Sequence, residues 1–366
     1  MTKTRITLMA AAAATALTAA SQGQVNWLET EHDFGTFPES VGKVTGVMKF
    51  VNTGDSALSI TRVRPTCGCT TSEFSSTTVA PGDTASISIT YSAVGHPGQF
   101  KKDVYVYTTG EPHRSVVAVK GKVIGSASTV SEQYPVAVDE LRLERASVPL
   151  GDITRGKTRM AYVGMYNTSL DSMVVTFGAT ATGIIPQALP DTVAPGSSAT
   201  VTVFLDSSDA PLWGLNTYPF TIVATPLHGT TASGSAEVSV MAVVRENFDR
   251  LTPKERAEAP VASLEANKAD FATINRNGNP ITRQLRLTNT GRNPLLLRRI
   301  YTLAPGIEAT APVQKLKSGK STIITVTVDP QKLDPDDTML NARINVITND
   351  PANPVQMIRA VGLLQK

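Results

Sequence analysis

Hydrophobic and polar residues alternate along many short segments of this chain. In Ala85–Tyr91, Ala199–Leu205 and Thr322–Val328, apolar residues recur at every second position. A period of two places one face of a β-strand against a core and the other face in water. Turn sequences such as Pro81–Asp83 and Pro195–Ser197 separate these segments. Roughly seven short strands in each ~100 residues predict β-sandwiches of the immunoglobulin-like type.

One set of turn motifs occurs three times. An Asn-rich turn is found at Asn52–Leu58, Asn167–Met173 and Asn289–Leu295. A turn that ends in Gly is found at Val79–Gly82, Val193–Gly196 and Leu316–Gly319. The three turn glycines are 114 and 123 residues apart, which is the length of a whole domain rather than of a solenoid repeat. The sequence therefore predicts an all-β protein with three tandem immunoglobulin-like β-sandwich domains after a signal peptide.

The motifs and the composition between them set the predicted boundaries. These are a signal peptide (1–23), three domains (24–124, 125–246 and 260–366) and a linker (247–259). The start of the second domain, Gly125–Ser128, has the composition of a flexible linker. Thr252–Glu255, in the linker, combines an N-cap Thr, a Pro at the first helical position and a Glu at N3. This capping box predicts a short helical turn.

The first residues have the features of a secretory signal. Lys3 and Arg5 precede the apolar run Ile6–Ala20, and small residues follow it. The run is shorter than the ~20 apolar residues of a transmembrane helix, and we expect no transmembrane segment elsewhere. The protein is therefore expected to be exported to the periplasm or the cell surface rather than to stay in the cytoplasm.

The charge of the chain is nearly balanced, with a net value of +3. The first predicted domain has nine basic and nine acidic residues, the second has six and eleven, and the third has fourteen and eight. A nucleic-acid-binding protein needs a concentrated basic stripe, so no nucleic-acid partner is expected. Opposite signs on neighbouring domains could favour docking, but we favour the interpretation that these are ordinary solvated surfaces.

Several segments of the first predicted domain carry a resemblance to a known family. They are His32–Gly35, Phe50–Gly54, Pro65–Thr70, Val79–Gly82, Gly98–Phe100 and Val119–Val123. Together they resemble an exported bacterial family of the Bacteroidota type, a domain of unknown function with an Asp-Phe-Gly start and a Cys-Gly-Cys motif. The resemblance extends more distantly to the ASPM/SPD-2/Hydin and major-sperm-protein domains. It covers residues 26–124 well, 260–366 less well and 125–246 weakly, and it implies fold and export but no catalytic residues.

Cys67 and Cys69 are the two cysteines of the chain, and they flank a single glycine. In an oxidising compartment they could form a local disulfide with a structural or an exchanging role. They could instead remain thiolates that bind a soft ion such as Cu(I), or be small inert side chains. Arg62 and Arg64 precede the pair and could favour a thiolate. The spacing differs from the Cys-x-x-Cys of redox enzymes.

Other motifs point to no chemistry, and we expect no catalytic residue, cofactor or metal site. Gly319-Lys320-Ser321 lacks the upstream glycine of a phosphate-binding loop and aligns with the repeated turns. The acidic segment Asp334–Asp337 lacks the alternating ligands of a calcium loop. His32, His96, His113 and His228 have no metal-ligand spacing.

Five Asp-(Ser/Thr)-apolar triplets resemble the acceptor pattern for O-glycosylation of exported Bacteroidota proteins. Their hydroxyl residues are Ser56, Thr84, Ser172, Thr192 and Thr338. The same triplets also suit turns that enter strands. A glycan on any of them would be bulky and solubilising.

The sequence as a whole favours a non-catalytic exported envelope protein. It would be a multi-domain scaffold or an interaction and adhesion module whose partners are other envelope or surface proteins. The alternative is a periplasmic thiol-active module that uses Cys67 and Cys69 for disulfide exchange or copper binding. The oligomeric state and the identity of the partner do not follow from the residues.

Overall fold

The computed structural model of the protein describes residues 22–75, 78–229 and 233–365. The predicted signal peptide lies outside these residues except for its last two positions. The described residues form three successive pairs of β-sheets with very little helix. The all-β, immunoglobulin-like prediction is therefore confirmed.

The first sheet pair contains nine described strands. They are β1 (Val25–Trp27), β2 (Glu31–Pro38), β3 (Lys43–Asn52), β4 (Leu58–Pro65), β5 (Thr70–Phe74), β6 (Thr78–Val79), β7 (Thr84–Ser92), β8 (Gly98–Thr108) and β9 (Arg114–Ile124). A 3-10 turn, Glu39–Val41, connects β2 to β3. The strand orders are β1-β3-β7-β5 and β2-β9-β8-β4-β6.

The second sheet pair contains ten described strands. They are β10 (Val136–Val138), β11 (Leu141–Leu143), β12 (Ser147–Thr154), β13 (Thr158–Asn167), β14 (Met173–Thr180), β15 (Ile184–Leu189), β16 (Thr192–Val193), β17 (Ser198–Asp206), β18 (Gly214–Pro226) and β19 (Gly234–Arg245). The strand orders are β10-β11-β13-β17-β15 and β12-β19-β18-β14-β16. A single helical turn, α1 (Ala127–Val130), precedes them.

The third sheet pair repeats the arrangement of the first, after the short helix α2 (Pro253–Ala257). Its strands are β20 (Ala262–Leu264), β21 (Lys268–Asn275), β22 (Ile281–Asn289), β23 (Leu295–Thr302), β24 (Ile307–Thr310), β25 (Lys315–Leu316), β26 (Ser321–Val328), β27 (Met339–Thr348) and β28 (Val355–Gln365). A 3-10 turn, Pro330–Lys332, follows β26. The strand orders are β20-β22-β26-β24 and β21-β28-β27-β23-β25.

In each sheet pair, one of the two sheets contains the last strand of the pair. In that sheet, the strand that comes first in the sequence lies beside this last strand. The pairs β2–β9, β12–β19 and β21–β28 are all parallel, whereas central pairs such as β3–β7, β13–β17 and β22–β26 are antiparallel. Each of these parallel pairs contains a bulge near its middle, where the register shifts. The three sheet pairs therefore share a topology as well as the repeated sequence motifs.

The predicted alternation matches the burial of the central strands. In β7, for example, Ile87 and Ile89 are fully buried while the serines beside them are half-buried. Val201 and Val203 take the same place in β17, and Val326 in β26. Burial of apolar area stabilises this arrangement by about 25 cal/mol per Å². The intervening hydroxyl side chains lie on the opposite face of the sheet, where they can hydrogen-bond to water.

Close contacts group the chain into two compact units. The first contains the described residues up to Glu132 together with 167–172 and 194–197. The second contains residues 133–166, 173–193 and the described residues from Ser198 onward. The third sheet pair therefore belongs to the same compact unit as most of the second.

The two short helices are fixed by caps. Before α2, Thr252 and Glu255 exchange the hydrogen bonds of the capping box that the sequence predicts. The last two residues of Gly125–Ser128, the segment expected to be flexible, lie in α1, whose N-cap is Ser126. The carboxylate of the buried Glu39 accepts hydrogen bonds from Ser126 N at 2.8 Å, Thr129 Oγ1 at 2.9 Å and Gly95 N at 2.6 Å. Burial raises the pKa of Glu39, but these hydrogen bonds outweigh it and hold the pKa below its ordinary value.

Candidate functional site

Each sheet pair contains one fully buried asparagine at the end of a strand: Asn52, Asn167 and Asn289. In the first, Nδ2 donates to Ser56 O at 2.8 Å and to Val79 O at 3.0 Å. Its Oδ1 accepts from Gln24 N at 3.0 Å and from Gly54 N at 3.1 Å. One amide side chain thus ties together three separate segments of backbone.

Asn289 makes the corresponding set of hydrogen bonds, and Asn167 makes part of it. Asn289 Nδ2 donates to the carbonyls of Asn293 and Leu316, and its Oδ1 accepts from Gly291 N and Val261 N. Asn167 Nδ2 donates to Asp171 O, and its Oδ1 accepts from the main chain and the hydroxyl of Ser169.

The second repeated motif contacts the first in every sheet pair. The N–H groups of Gly82, Gly196 and Gly319 donate to the main-chain carbonyls of Asn52, Asn167 and Asn289, at 2.8, 3.0 and 2.8 Å. All three glycines have positive φ angles, between 59° and 80°. The repeated motifs are therefore one structural element that closes each sheet pair. Gly319 and Lys320 accordingly belong to a turn of this element, as the alignment predicts, and Ser321 begins β26.

The Asp-Phe-Gly segment has a similar structural role. Asp33 Oδ1 accepts from Gly35 N at 2.8 Å, and Gly35 has a φ of 69° at the bulge of β2. In the third sheet pair Asp270 Oδ1 accepts from Ala272 N at 2.9 Å, and Ala272 has a φ of 51°. Alanine seldom adopts this left-handed conformation. The aspartate supports the bulge, which is why the segment recurs.

Cys67 and Cys69 lie in the connection between β4 and β5, strands that belong to different sheets. Their sulfur atoms are in contact and their Cα atoms are 5.3 Å apart, a separation usual for disulfides. Both side chains are half-buried, and Cys69 packs against the core of the first sheet pair. Gly68, between them, is exposed, and a Cβ built on it meets nothing within 4 Å.

Main-chain hydrogen bonds hold this connection on both sides. Thr66 donates to Asp103 O from its N–H and its hydroxyl, at 3.1 and 2.9 Å. Thr70 N donates to Cys67 O at 3.2 Å, and Ser92 N donates to Cys69 O at 2.8 Å. In addition, Cys69 N lies 3.0 Å from Cys67 Sγ and donates to it.

Arg62 and Arg64, which the sequence places just before the cysteines, are exposed residues of β4. In register they lie opposite Tyr107 and Tyr105 of β8. They therefore occupy one face of a strand, as alternation requires.

A cleft of about 500 Å³ lies beside the β2 bulge and is lined partly by Lys101, Lys120 and Lys122. Glu31 forms ion pairs with Lys101 and Lys120. The hydrogen bonds from these two lysines lower the pKa of Glu31 to about 2. Because one carboxylate already engages two of the three ammonium groups, the cleft is a poor match for an anionic ligand.

An unusual surface lies on the outer face of the second sheet pair. Met160 of β13 and Ile185 of β15 both lie opposite Phe204 of β17 in the strand register. We call Met160, Phe204 and Ile185 the apolar row. Met160 is 54% exposed and Ile185 is 61% exposed, while the neighbouring Tyr162 is 57% exposed. The alternation along single strands does not predict this row, because its three residues belong to three separate segments of the chain.

A tight set of contacts joins the second and third sheet pairs. Arg298 forms a two-pronged ion pair with Glu246, with N–O distances of 3.0 and 2.6 Å. The guanidinium groups of Arg155 and Arg298 lie 4.7 and 5.0 Å from the centre of the Trp213 ring. Arg299 also donates to the carbonyl of Trp213. Stacking and bidentate pairing of this kind require arginine rather than lysine.

The five predicted glycosylation residues all have some exposure. Thr84 and Thr338 are exposed, and Ser56, Ser172 and Thr192 are half-buried. Thr84 and Thr192 begin strands, and Ser172 and Thr338 immediately precede them. Both the glycosylation and the turn interpretations therefore remain open for these residues.

Within residues 22–75, 78–229 and 233–365, no three His, Cys, Asp or Glu side chains are grouped to hold a metal ion. The four histidines thus stay apart from any such group in the described chain. No helix among the described residues is long and apolar enough to cross a membrane.

The fold places this protein in the class of all-β proteins built from immunoglobulin-like sheet pairs. A family described as proteins of unknown function, DUF1573, matches residues 25–123 and again 262–360. Since these matches cover more than half of the sequence, the chain belongs to this family. Comparison with curated protein sequences finds no match.

One solved structure shows the same kind of fold. A protein of unknown function from Porphyromonas gingivalis W83 is 20% identical, with a TM-score of 0.50 over 62% of this chain and 100% of that chain. A PapD-like domain of human CEP192 is 9% identical, with a TM-score of 0.26 over 30% and 87%. The periplasmic chaperone SfaE is 10% identical, with a TM-score of 0.26 over 62% and 100%. The similarity to the Porphyromonas protein shows a shared fold but not a shared function. The TM-scores of the other two structures are too low to support a conclusion.

Proposed function

We propose that this protein is an exported, non-catalytic interaction module of the cell envelope. Its second sheet pair would bind a partner protein through the apolar row and Tyr162. The observation that carries the proposal is the exposure of Met160 and Ile185 on either side of Phe204, on one sheet face. Apolar patches exposed on a folded protein commonly mark interaction surfaces.

The other two sheet pairs provide an internal comparison. Aligned on the buried asparagines and the turn glycines, the apolar row corresponds to Thr45, Thr90 and Thr71 in the first sheet pair and to Thr282, Thr327 and Glu308 in the third. Thr45 and Thr90 even share a hydrogen bond of 2.8 Å. The fold therefore accepts polar residues at all three positions, and the apolar row is not required for folding.

The edge of the same sheet favours contact through its face rather than through added strands. β15 is the last strand of its sheet, and Asp206 N donates to Gly183 O just before β15 begins. Because hydrogen-bonded and non-bonded pairs alternate, the main-chain groups of Pro186 point away from β17. Proline has no N–H to offer a new strand, so it protects the edge.

Export to the periplasm or cell surface rests on the sequence. Lys3, Arg5 and the apolar run that follows support a secretory signal. The contacts among Trp213, Arg298 and Glu246 support a scaffold role, because they hold two sheet pairs in one compact unit. A scaffold of this kind presents a surface without performing chemistry on its partner.

A photo-crosslinking amino acid placed at Tyr162 in the full chain tests the proposal in intact cells of the producing organism. The matched control places the same group at Val47, which aligns with Tyr162 in the first sheet pair and is 43% exposed. We expect a discrete higher-mass adduct from position 162 and none from position 47. Replacement of the apolar row by threonine at all three positions should abolish the adduct and leave the thermal midpoint within a few degrees.

Two results would contradict the proposal. The first is an equal pattern of adducts from both positions, because it would show that position 162 has no preferred partner. The second is a large loss of thermal stability in the threonine variant, because it would assign the apolar row to folding. Signal processing is read separately from the mass of the mature N-terminus, and an unprocessed, cytoplasmic chain would refute export.

A further inference from the structure

We propose that Cys67 and Cys69 form a thiol–disulfide exchange site, in which Cys67 forms the mixed disulfide with a cysteine of a substrate protein. This activity is separate from the binding surface of the second sheet pair. The substrate class is a protein with two neighbouring cysteines, or the corresponding disulfide. The inference rests on access, on the difference between the two sulfurs and on the supporting hydrogen bonds.

Access to the pair comes from its position. The two cysteines occupy the link between β4 and β5, and the glycine between them is exposed with open space around its Cα. Residue 68 therefore has no side chain to block a cysteine on the surface of another protein from approaching this link. Thiol–disulfide exchange requires such an approach, because the attacking sulfur must reach the bond directly.

The two sulfurs have different surroundings. Cys67 Sγ accepts a hydrogen bond from Cys69 N at 3.0 Å. An N–H group directed at sulfur stabilises the negative charge of a thiolate. Cys69 packs against the apolar core, and the hydroxyl oxygen of the buried Thr70 lies 3.8 Å from its sulfur. Cys67 is therefore the sulfur that exchanges with the substrate, and Cys69 is the sulfur that resolves the mixed disulfide.

The backbone keeps the sulfurs together independently of any bond between them. Thr66 is held by Asp103 O, Cys67 O accepts from Thr70 N, and Cys69 O accepts from Ser92 N. These contacts involve main-chain carbonyls and remain available when the pair is reduced. A pair held in this way has a high effective concentration of one sulfur at the other, which favours rapid ring closure.

The fold does not need the pair. The matching link is Ala181–Gly183 between β14 and β15 and Leu303–Gly306 between β23 and β24, and neither contains cysteine. A disulfide that closes so short a loop also constrains the unfolded chain very little. The two sulfurs are therefore better explained by chemistry than by stability.

The step balances as an exchange of two electrons. A substrate thiolate attacks Cys67 Sγ, the bond between the two cysteines breaks, and Cys69 leaves as a thiolate that takes up a proton. The second substrate thiolate then attacks the substrate sulfur of the mixed disulfide, and Cys67 leaves as a thiolate. The substrate dithiol has become a disulfide and the cysteine pair has become a dithiol. The reverse sequence reduces a substrate disulfide.

The first test uses the full mature chain with Cys69→Ser or Cys67→Ser, each mixed with oxidised glutathione. Intact mass gives the rate at which the glutathione adduct forms. We expect the Cys69→Ser variant, which retains Cys67, to form the adduct at least ten times faster than the Cys67→Ser variant. Equal rates, or a faster reaction of Cys69, would overturn the assignment of roles.

The second test titrates the unmodified pair against a buffer of reduced and oxidised glutathione and counts alkylated thiols by mass. We expect oxidised and reduced forms to coexist within the range of the buffer. A pair that stays oxidised throughout, or thiols that never oxidise and instead retain Cu(I), would overturn the proposal. The double Cys67→Ser/Cys69→Ser variant should keep its thermal midpoint, whereas a large drop would assign the pair to stability.

Discussion

The buried amide of Asn52 gives the sharpest test of what closes the first sheet pair. Asn52→Ala removes two donors and one oxygen that accepts twice, at a position with no exposed surface. The carbonyls of Ser56 and Val79 and the N–H groups of Gln24 and Gly54 all lose this partner. A buried polar group without a partner costs about 1–3 kcal/mol.

The magnitude follows from counting these four groups at the low end of that range, because some of them lie near the surface and can recruit water. The expected loss is about 4 kcal/mol of unfolding free energy for the first sheet pair. That is a large part of the roughly 5–15 kcal/mol that stabilises an ordinary domain. The matched control is Asn26→Ala on β1, an exposed asparagine that should change stability by less than ~0.5 kcal/mol.

The assay must report on the first sheet pair alone, since a chain of several domains does not unfold in one step. Trp27 lies in that sheet pair, with its ring centre 5.1 Å from that of Phe50. Urea unfolding followed by its fluorescence, in a Trp213→Phe background, isolates the transition. A loss below ~1 kcal/mol, or a loss equal to that of Asn26→Ala, would refute the reasoning, because water would then replace the amide at no cost.

Two further predictions concern the bulges and the buried acid. Ala272→Gly should raise the stability of the third sheet pair by about 0.5–1 kcal/mol, since it relieves a left-handed alanine. Gly35→Ala should lower the stability of the first sheet pair by a similar amount, and urea unfolding measures both changes. A loss of stability in Ala272→Gly, or a gain in Gly35→Ala, would contradict the respective prediction. Glu39→Gln should cost about 2 kcal/mol at pH 7. Because the folded pKa of Glu39 is lowered, its contribution is complete above pH 4.5 and is lost as pH falls through the folded pKa. Parallel stability–pH curves for Glu39→Gln and the unmodified protein would refute this.

The strands and the repeats were readable from the sequence because they depend on local patterns. Alternation sets which face of β7 is buried, and turn residues such as Gly82 mark where strands end. The buried asparagines were visible as repeated letters, but their role was not. Two of the four hydrogen bonds of Asn52 reach backbone that is distant in sequence, at Gln24 N and Val79 O, and these two follow only from the strand pairing.

The candidate sites show the same limit. Met160, Phe204 and Ile185 are 19 to 44 residues apart in sequence, and only the register makes them neighbours. A comparison of aligned repeats could have flagged them, since threonine stands at the matching positions of the first. The cysteines were evident from the sequence, whereas the difference between the two sulfurs depends on where Cys69 N points.

The parallel pairing of first and last strands has a mechanical consequence. When a chain is pulled from its two ends, the start of the earlier strand and the end of the later strand of each of these parallel pairs are drawn in opposite directions. In β2–β9, β12–β19 and β21–β28 the strands lie side by side and parallel, so tension acts lengthwise along their shared ladder. The hydrogen bonds between the two strands are then loaded together, in shear, instead of breaking one after another. Each parallel pair is thus arranged to resist tension that acts lengthwise on its two strands.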